Sequence, residues 1–521
     1  MPPSRLGFLL LLWLASVPLP RAAADPLKVE GGWIEGGLGR HSDVRVYRGI
    51  PFAAAPLGDL RWRPPAPVVP WTGVRATREF GPNPLQAPYA DTTSMSYEGP
   101  TAMGEDCLYL NVWTAAAPGE RLPVMVWIHG GGFSLLAASR SAYDGEELGR
   151  RGVVVVSLEY RLGMWGFLAL PELAHESPKK STGNYGLLDL VAGIKWVRRN
   201  ISAFGGDPDR ITLFGESAGS EAVSALTVSP LIAGDIQGAI AESLLFTPEY
   251  AGNLEEHERA DEAWVRGMGI ASLADLRRLP APELMARIAA AGAQPSWQPV
   301  VDHWILPGDL WTALAGGHHP AIPILTGCNA NEAATLVAPV PAAAYVAQSR
   351  QRFGSLAERF LRLYPGPTDA EAADSQRQAF NDEVAWSHRH WAELAARKRP
   401  AYLYLFTQVP PLPPDVAPGQ TPRNGASHGS EIPYVFSSLD RLHRSWSEAD
   451  AYLADLMSSY WANFAVRGDP NGPGLPAWPH FGSAGGDGLQ LGTRIRPIAP
   501  DDMDPEKQAF WSEASHPRPG L

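Results

Sequence analysis

Cysteine is almost absent from this chain. Cys107 and Cys328 are the only two in 521 residues, so at most one disulfide is available, and sequence separation alone does not establish it. Basic residues are outnumbered: 43 Lys and Arg against 55 Asp and Glu leave a formal net charge of −12. That excludes the electrostatic footprint of a nucleic-acid-binding protein. Membrane-spanning runs are lacking as well. The one candidate, Leu6 to Val17, falls short of the roughly 20 apolar residues that a span requires. Internal repeats and charge-rich or low-complexity linkers are missing, which leaves no boundary at which to divide the chain into separate domains.

What is present begins with an address. Arg5, the short apolar run and Ala22-Ala-Ala24 make a secretory signal peptide over residues 1–24, with cleavage after Ala24. The expectation is an exported, soluble protein with no stable membrane anchor, whose mature part, 25–521, is one domain. Hydrophobic residues make up 45% of the chain, enough for a sizeable core. Asn200-Ile-Ser202 is a glycosylation sequon, but it falls inside an apparent structural segment.

Continuous apolar runs at 124–128, 153–158, 322–325 and 401–406 read as buried strands, with Val300-Val301 a weaker candidate. Leu187 to Arg199 carries apolar residues at helical spacing. Longer helical stretches run from Leu254 to about Ala291 and, after the capping box Thr368-Asp-Ala-Glu371, to about Arg397. Buried strands alternating with helices predict an α/β fold. Its central, mostly parallel sheet carries helices on both faces, and helical insertions lie over the strand C-terminal ends. The Pro-rich stretch Pro410 to Gly425 is short enough to be a loop.

The chemistry centres on Ile211-Thr-Leu-Phe-Gly-Glu-Ser-Ala-Gly-Ser220. A short apolar strand runs directly into G-x-S-x-G and then into a small-residue helix, the context of a nucleophile elbow. Glycines two residues either side of Ser217 remove the Cβ atoms that so tight a turn cannot accommodate. A Ser hydroxyl is a poor nucleophile at neutral pH and needs a base, an orienting acid and an oxyanion site. His129-Gly-Gly-Gly-Phe133 follows the strand at 124–128 and supplies the last. Its glycines can turn backbone N–H groups towards an oxyanion, which nominates those of Gly131 and Gly132, with Ala218 as the third donor. No Lys-Ser/Thr follows these glycines, so a phosphate-binding loop is a poor fit. His129 itself reads as a structural hydrogen bonder.

The acid and base are expected downstream, in that order. Glu332, just past the strand at 322–325, and Asp302, after Pro299-Val-Val, compete for the acid. Among the later histidines, His388 and His390 fall in a charged helical stretch and are expected to be solvated. His428 sits among small residues after the strand at 401–406. An unperturbed imidazole base predicts activity that rises near pH 6 to 7. His318-His319 and His388-Arg-His390 lack the partner pattern of a metal site, and the chemistry requires neither metal nor organic cofactor.

The chain resembles the type-B carboxylesterase family, which includes bacterial para-nitrobenzyl esterases, animal carboxylesterases and cholinesterases. The resemblance rests on Gly49–Pro65, Glu105–Trp113, His129–Phe133, Glu159–Phe167, Gly183–Asp189, Asn200–Gly219, Gly327–Glu332, Ser427–Phe436 and Trp461–Pro479. It implies an α/β-hydrolase fold and hydrolysis of small-molecule esters, with Ser217 as nucleophile, Glu332 as acid and His428 as base. It likewise implies oxyanion donors at Gly131, Gly132 and Ala218, and supporting roles for Glu216 and Ser243. The family's first disulfide would join Cys107 to a cysteine near Pro84, and none is there. No Trp lies between Asn83 and Glu105, so the strongest cation–π surface for a choline ester is missing. Glu159 and Glu242 stand where the family commonly has neutral residues. A non-catalytic, adhesion-type relative and an amide- or thioester-cleaving enzyme stay open as alternatives at this point.

Overall fold

The computed structural model describes residues 24–88, 101–248, 250–317, 319–414, 425–499 and 502–515. The expected signal peptide therefore falls almost entirely outside the described residues, as do His318 and most of the Pro-rich loop.

An eleven-stranded sheet organises the molecule. In chain order its strands are β1 (Gly37–Leu38), β2 (Arg45–Pro51), β3 (Tyr109–Thr114), β4 (Leu122–Ile128), β5 (Val154–Leu158), β6 (Gly206–Glu216), β7 (Gly238–Glu242), β8 (Ile324–Asn329), β9 (Ala401–Phe406), β10 (Gly488–Leu491) and β11 (Arg496–Ile498). Across the sheet they run β11-β10-β9-β8-β7-β6-β4-β5-β3-β2-β1. The strands from β5 to β10 are mutually parallel, and antiparallel strands close both edges.

β4 shows why its sequence is an unbroken apolar run. Val124, Val126 and Ile128 enter one buried cluster. Met125 and Trp127, on the opposite face, enter another. A strand covered on both faces needs apolar residues at every position. The first face carries α1 (Tyr185–Asn200) and α2 (Ala218–Thr227). The second carries α7 (Ile432–Val435) and α8 (Glu448–Arg467).

The helical stretch expected from Leu254 to about Ala291 consists of three helices, α3 (Leu254–Gly267), α4 (Leu273–Arg278) and α5 (Ala281–Ala290). The breaks fall where physics places them. Gly269 has φ +74, Ser272 caps α4 through the N–H of Asp275, and Pro280 precedes α5. α6 (Asp369–Ala396) runs unbroken after Thr368, whose hydroxyl accepts from the N–H of Glu371. Val300-Val301 pairs with Gly252-Asn253 in a separate two-stranded sheet, outside the central one.

The sequon is closed to modification in this fold. Asn200 ends α1 with its amide donating to Trp196 O and its Oδ1 accepting from the N–H of Glu30. Cys107 and Cys328 are both buried and free. Among the described residues no helix is long and apolar enough to cross a membrane.

Candidate active site

The order β5-β4-β6 places the chain's direction switch at β4, and in open α/β sheets ligands bind at the strand C-terminal ends beside that switch. Both motifs sit there. β4 and β6 are neighbours with Ile128 paired to Gly215, so the loop after β4 lies against the turn after β6. Contact is close: a Cβ on Gly219 would lie 2.0 Å from Ile128 O, and one on Gly215 would lie 2.7 Å from Gly219 O. Only glycine fits either position.

Ser217 occupies the turn at φ 58, ψ −128, immediately before α2. That conformation is costly for an L residue, and it is held by the Ser217 N–H donating to Glu242 O at 2.9 Å. Gly131 and Gly132 both have positive φ. Among the described residues the N–H groups of Gly131, Gly132 and Ala218 bond to no protein group, which leaves them available to a ligand. His129 Nδ1 contacts Gly130 O at 2.9 Å, and Glu159 lies near its other nitrogen.

The loops after β8 and β9 bring Glu332 and His428 together. Their contact, Nδ1 to Oε2, is 2.6 Å, with the carboxylate fully buried and the imidazole 12% exposed. The rival Asp302 lies elsewhere. Its carboxylate accepts from the N–H groups of Trp304, Ile305 and Leu306 and from the Ser181 hydroxyl, so it closes a loop and meets no histidine.

His428 Nε2 does not bond Ser217. It lies 3.2 Å from Glu216 Oε1, and Ser217 Oγ makes no hydrogen bond among the described residues. Burial by itself would lower the His428 pKa, but Glu216 and Glu332 outweigh it and raise it to about 10. The expectation of an ordinary imidazole titrating near pH 6 to 7 is thus not met, because the ring lies between two carboxylates. Burial likewise raises Glu216 to about 7, against the pull of His428.

Further groups surround the site. Ser243, at φ +83, has a buried hydroxyl without a partner, and its carbonyl accepts from His388 Nε2 at 2.7 Å. His388 is therefore not solvated as expected. It is fully buried, its Nδ1 meets the Thr326 hydroxyl, and burial lowers its pKa to about 4. Its neutral tautomer carries the proton on Nε2, since a carbonyl only accepts. His390 is half-buried and stacks on Trp386. Glu221 and Glu431 are buried acids that the sequence reading passed over, and burial raises each to about 8. Their spacing held a signal: Glu221 is one α-turn beyond Ser217, and Glu431 follows His428 by three residues. Glu242 sits under the elbow, its carboxylate accepting from Trp461 Nε1. Among the described residues no cluster of three or more His, Cys, Asp or Glu is arranged to hold a metal ion.

A parallel-centred sheet flanked by helices, with a strained Ser between strand and helix and a glycine loop beside it, defines an α/β-hydrolase fold. The chain belongs to the Carboxylesterase family, whose profile matches residues 24–511. It is 37% identical to a fumonisin B1 esterase of Sphingopyxis macrogoltabida, over 92% of this chain and 89% of that protein. It is 34% identical to the para-nitrobenzyl esterase of Bacillus subtilis (strain 168), over 84% and 89% of the respective chains. A solved PNB esterase structure superposes with a TM-score of 0.80 at 30% identity, covering 95% of this chain and 99% of that one. The chain is a carboxylic ester hydrolase.

Proposed function

We propose that this protein is an exported serine hydrolase, one domain over 25–521 after signal cleavage, that cleaves carboxylic esters through Ser217, His428 and Glu332 by way of an acyl-enzyme. The observation that carries the reading is the 2.6 Å contact between His428 and Glu332 beside the strained Ser217. In the reaction His428 Nε2 takes the Ser217 proton as Oγ attacks the ester carbonyl, while Glu332 orients the ring and stabilises the imidazolium. The ring first leaves Glu216 for Ser217 Oγ, turning about its contact with Glu332; in free enzymes such hydrogen bonds often tighten only with substrate. The N–H groups of Gly131, Gly132 and Ala218 hold the tetrahedral oxyanion, each donor worth on the order of 10² to 10³ in rate. His428 then protonates the leaving alcohol, and water repeats the cycle on the acyl-enzyme. Glu216 and Ser243 shape this site without touching the bond that breaks.

A cavity of about 530 Å³ opens at Gly132 and is walled by Met164, Trp165, Met285, Ile288 and Trp297. None of its described lining residues is charged, which supports esters that carry an uncharged, bulky apolar group. Replacing Ser217 by Ala is expected to lower kcat for a short-chain para-nitrophenyl ester by about 10⁴ or more, and to abolish covalent labelling by an organophosphate. Turnover that survives the substitution would falsify Ser217 as nucleophile. A panel that includes para-nitrobenzyl esters and fumonisin B1, after which the two relatives are named, then ranks substrates.

A further inference from the structure

We propose that Asn329 is a positioning residue for ester hydrolysis, locking the loop of the acid to the loop of the base so that the imidazole is the only part free to move. The proposal rests on the assignment of Glu332 and His428 made above.

Asn329 is the last residue of β8, paired with Phe406 of β9. Its backbone N–H donates to Glu332 Oε1 at 2.6 Å, leaving Oε2 to face His428. Its side-chain amide reaches the other loop. Nδ2 donates to Ser427 O at 2.9 Å and to Glu431 Oε2, so both N–H bonds are used. The amide orientation is set by the Ser427 carbonyl, which can only accept, so turning the amide over would set Oδ1 against it. Oδ1 is itself buried and without a partner, a cost that only the Nδ2 contacts offset. Ser427 O belongs to the peptide that enters His428, so its direction fixes where the ring starts. Backbone pairing joins the loops as well: Asn331 and Ser427 form a parallel bridge, and the N–H of Asn331 donates to Ala426 O at 2.9 Å. Neither contact reaches the Glu332 carboxylate, which the Asn329 N–H holds.

This arrangement accounts for a step that the resting geometry leaves open. His428 Nε2 must pass from Glu216 to Ser217 Oγ. With Glu332 held by one N–H and the 427–428 peptide by the amide, that passage is a turn of one ring and not a shift of two loops. Misplacement on the scale of 1 Å costs a reaction about 100-fold.

The test compares Asn329→Ala and Asn329→Asp in the full chain. Around the amide lie Glu332 and His428 of the two loops, Glu431 at the N-cap of α7 and, through their interaction with Glu431, Glu216 of β6, Glu242 of β7 and Tyr404 of β9. Ala removes both donors; Asp keeps the shape but presents acceptors to Ser427 O and Glu431. Expected for Ala is a 10- to 100-fold loss in kcat, with KM within about twofold, and an altered pH limb in kcat/KM. Expected for Asp is a deeper loss at alkaline pH that recovers on acidification, as the carboxyl regains a proton to donate. Kinetics are normalised to the sites that an organophosphate titrates, so a folding defect does not pass for a kinetic one. If Ala does not fold, the isosteric Asp variant decides. Wild-type kcat per titrated site, or a loss of equal size at every pH in both variants, overturns the proposal. Failure of the underlying reading shows separately, as activity that survives Ser217→Ala or His428→Ala.

Discussion

Glu216 and Ser217 compete for one nitrogen of one imidazole. The Glu216 carboxylate lies 3.2 Å from Nε2 and, with Glu332, holds the His428 pKa up to about 10, so the ring can accept the Ser217 proton only once it has given up its own. Glu216→Gln removes that charge and leaves burial and Glu332 in place, so the His428 pKa falls. The rising limb of kcat/KM is expected to move to lower pH by roughly one to three units, read from rates between pH 5 and 10; a limb that stays put would show that Glu216 does not hold the proton. At this scale the sequence was only partly legible. Ser217, His428 and Glu332 stand in recognisable local contexts. His388 did not, because a charged helical stretch looks the same whether one of its faces is wet or pressed on Thr326 and Ser243.

Between elements, the ties that matter are buried ion pairs and caps. Arg161, after β5, makes two 2.7 Å contacts to Asp189 in α1, and both side chains are buried. Burial raises Asp189, while Arg161 pulls it back. Asp189→Asn strands a guanidinium in the interior and is expected to cost about 3–5 kcal/mol, seen as a fall of several degrees in Tm. An unchanged Tm would mean that water reaches Arg161. The elements themselves were largely readable: α1, α6 and the strands β4, β5, β6, β8 and β9 announce themselves by period and caps, whereas β7 and β10 are too short and too mixed to do so. The turns that divide the helical stretch over 254–291 were not, since apolar spacing persists across Gly269 and Pro280 while the backbone changes direction.

For the whole molecule, the burial of acids sets the pH response. Glu216, Asp261, Glu221 and Glu431 have pKa values raised by burial to between about 7 and about 8, against unfolded values near 4. The folded state therefore binds more protons than the unfolded chain from about pH 4 to 8. Stability falls as pH rises through that window. His428 acts with the same sign: its folded value near 10 gives stability that is full below about pH 6.5 and lost as pH approaches 10. Tm is thus expected to decline steadily from pH 5 to 9, and Glu221→Gln to flatten the slope. A Tm that rises over that range would mean that these carboxyls stay ionised in the fold.

The amino-acid sequence by itself determined the α/β architecture, the strand–turn–helix at Ser217 and the glycine loop beside it, because each depends on neighbours within about a dozen residues and on the period of apolar side chains. Residue spacing left Glu332 and Asp302 level and only the resemblance favoured Glu332; the tertiary structure decided that Glu332 contacts His428, that the imidazole lies beside Glu216, and that Asn329 joins the two loops. Those outcomes depend on which of several suitable side chains the crossovers carry to the same sheet end, and on how little water is left there to solvate their charge.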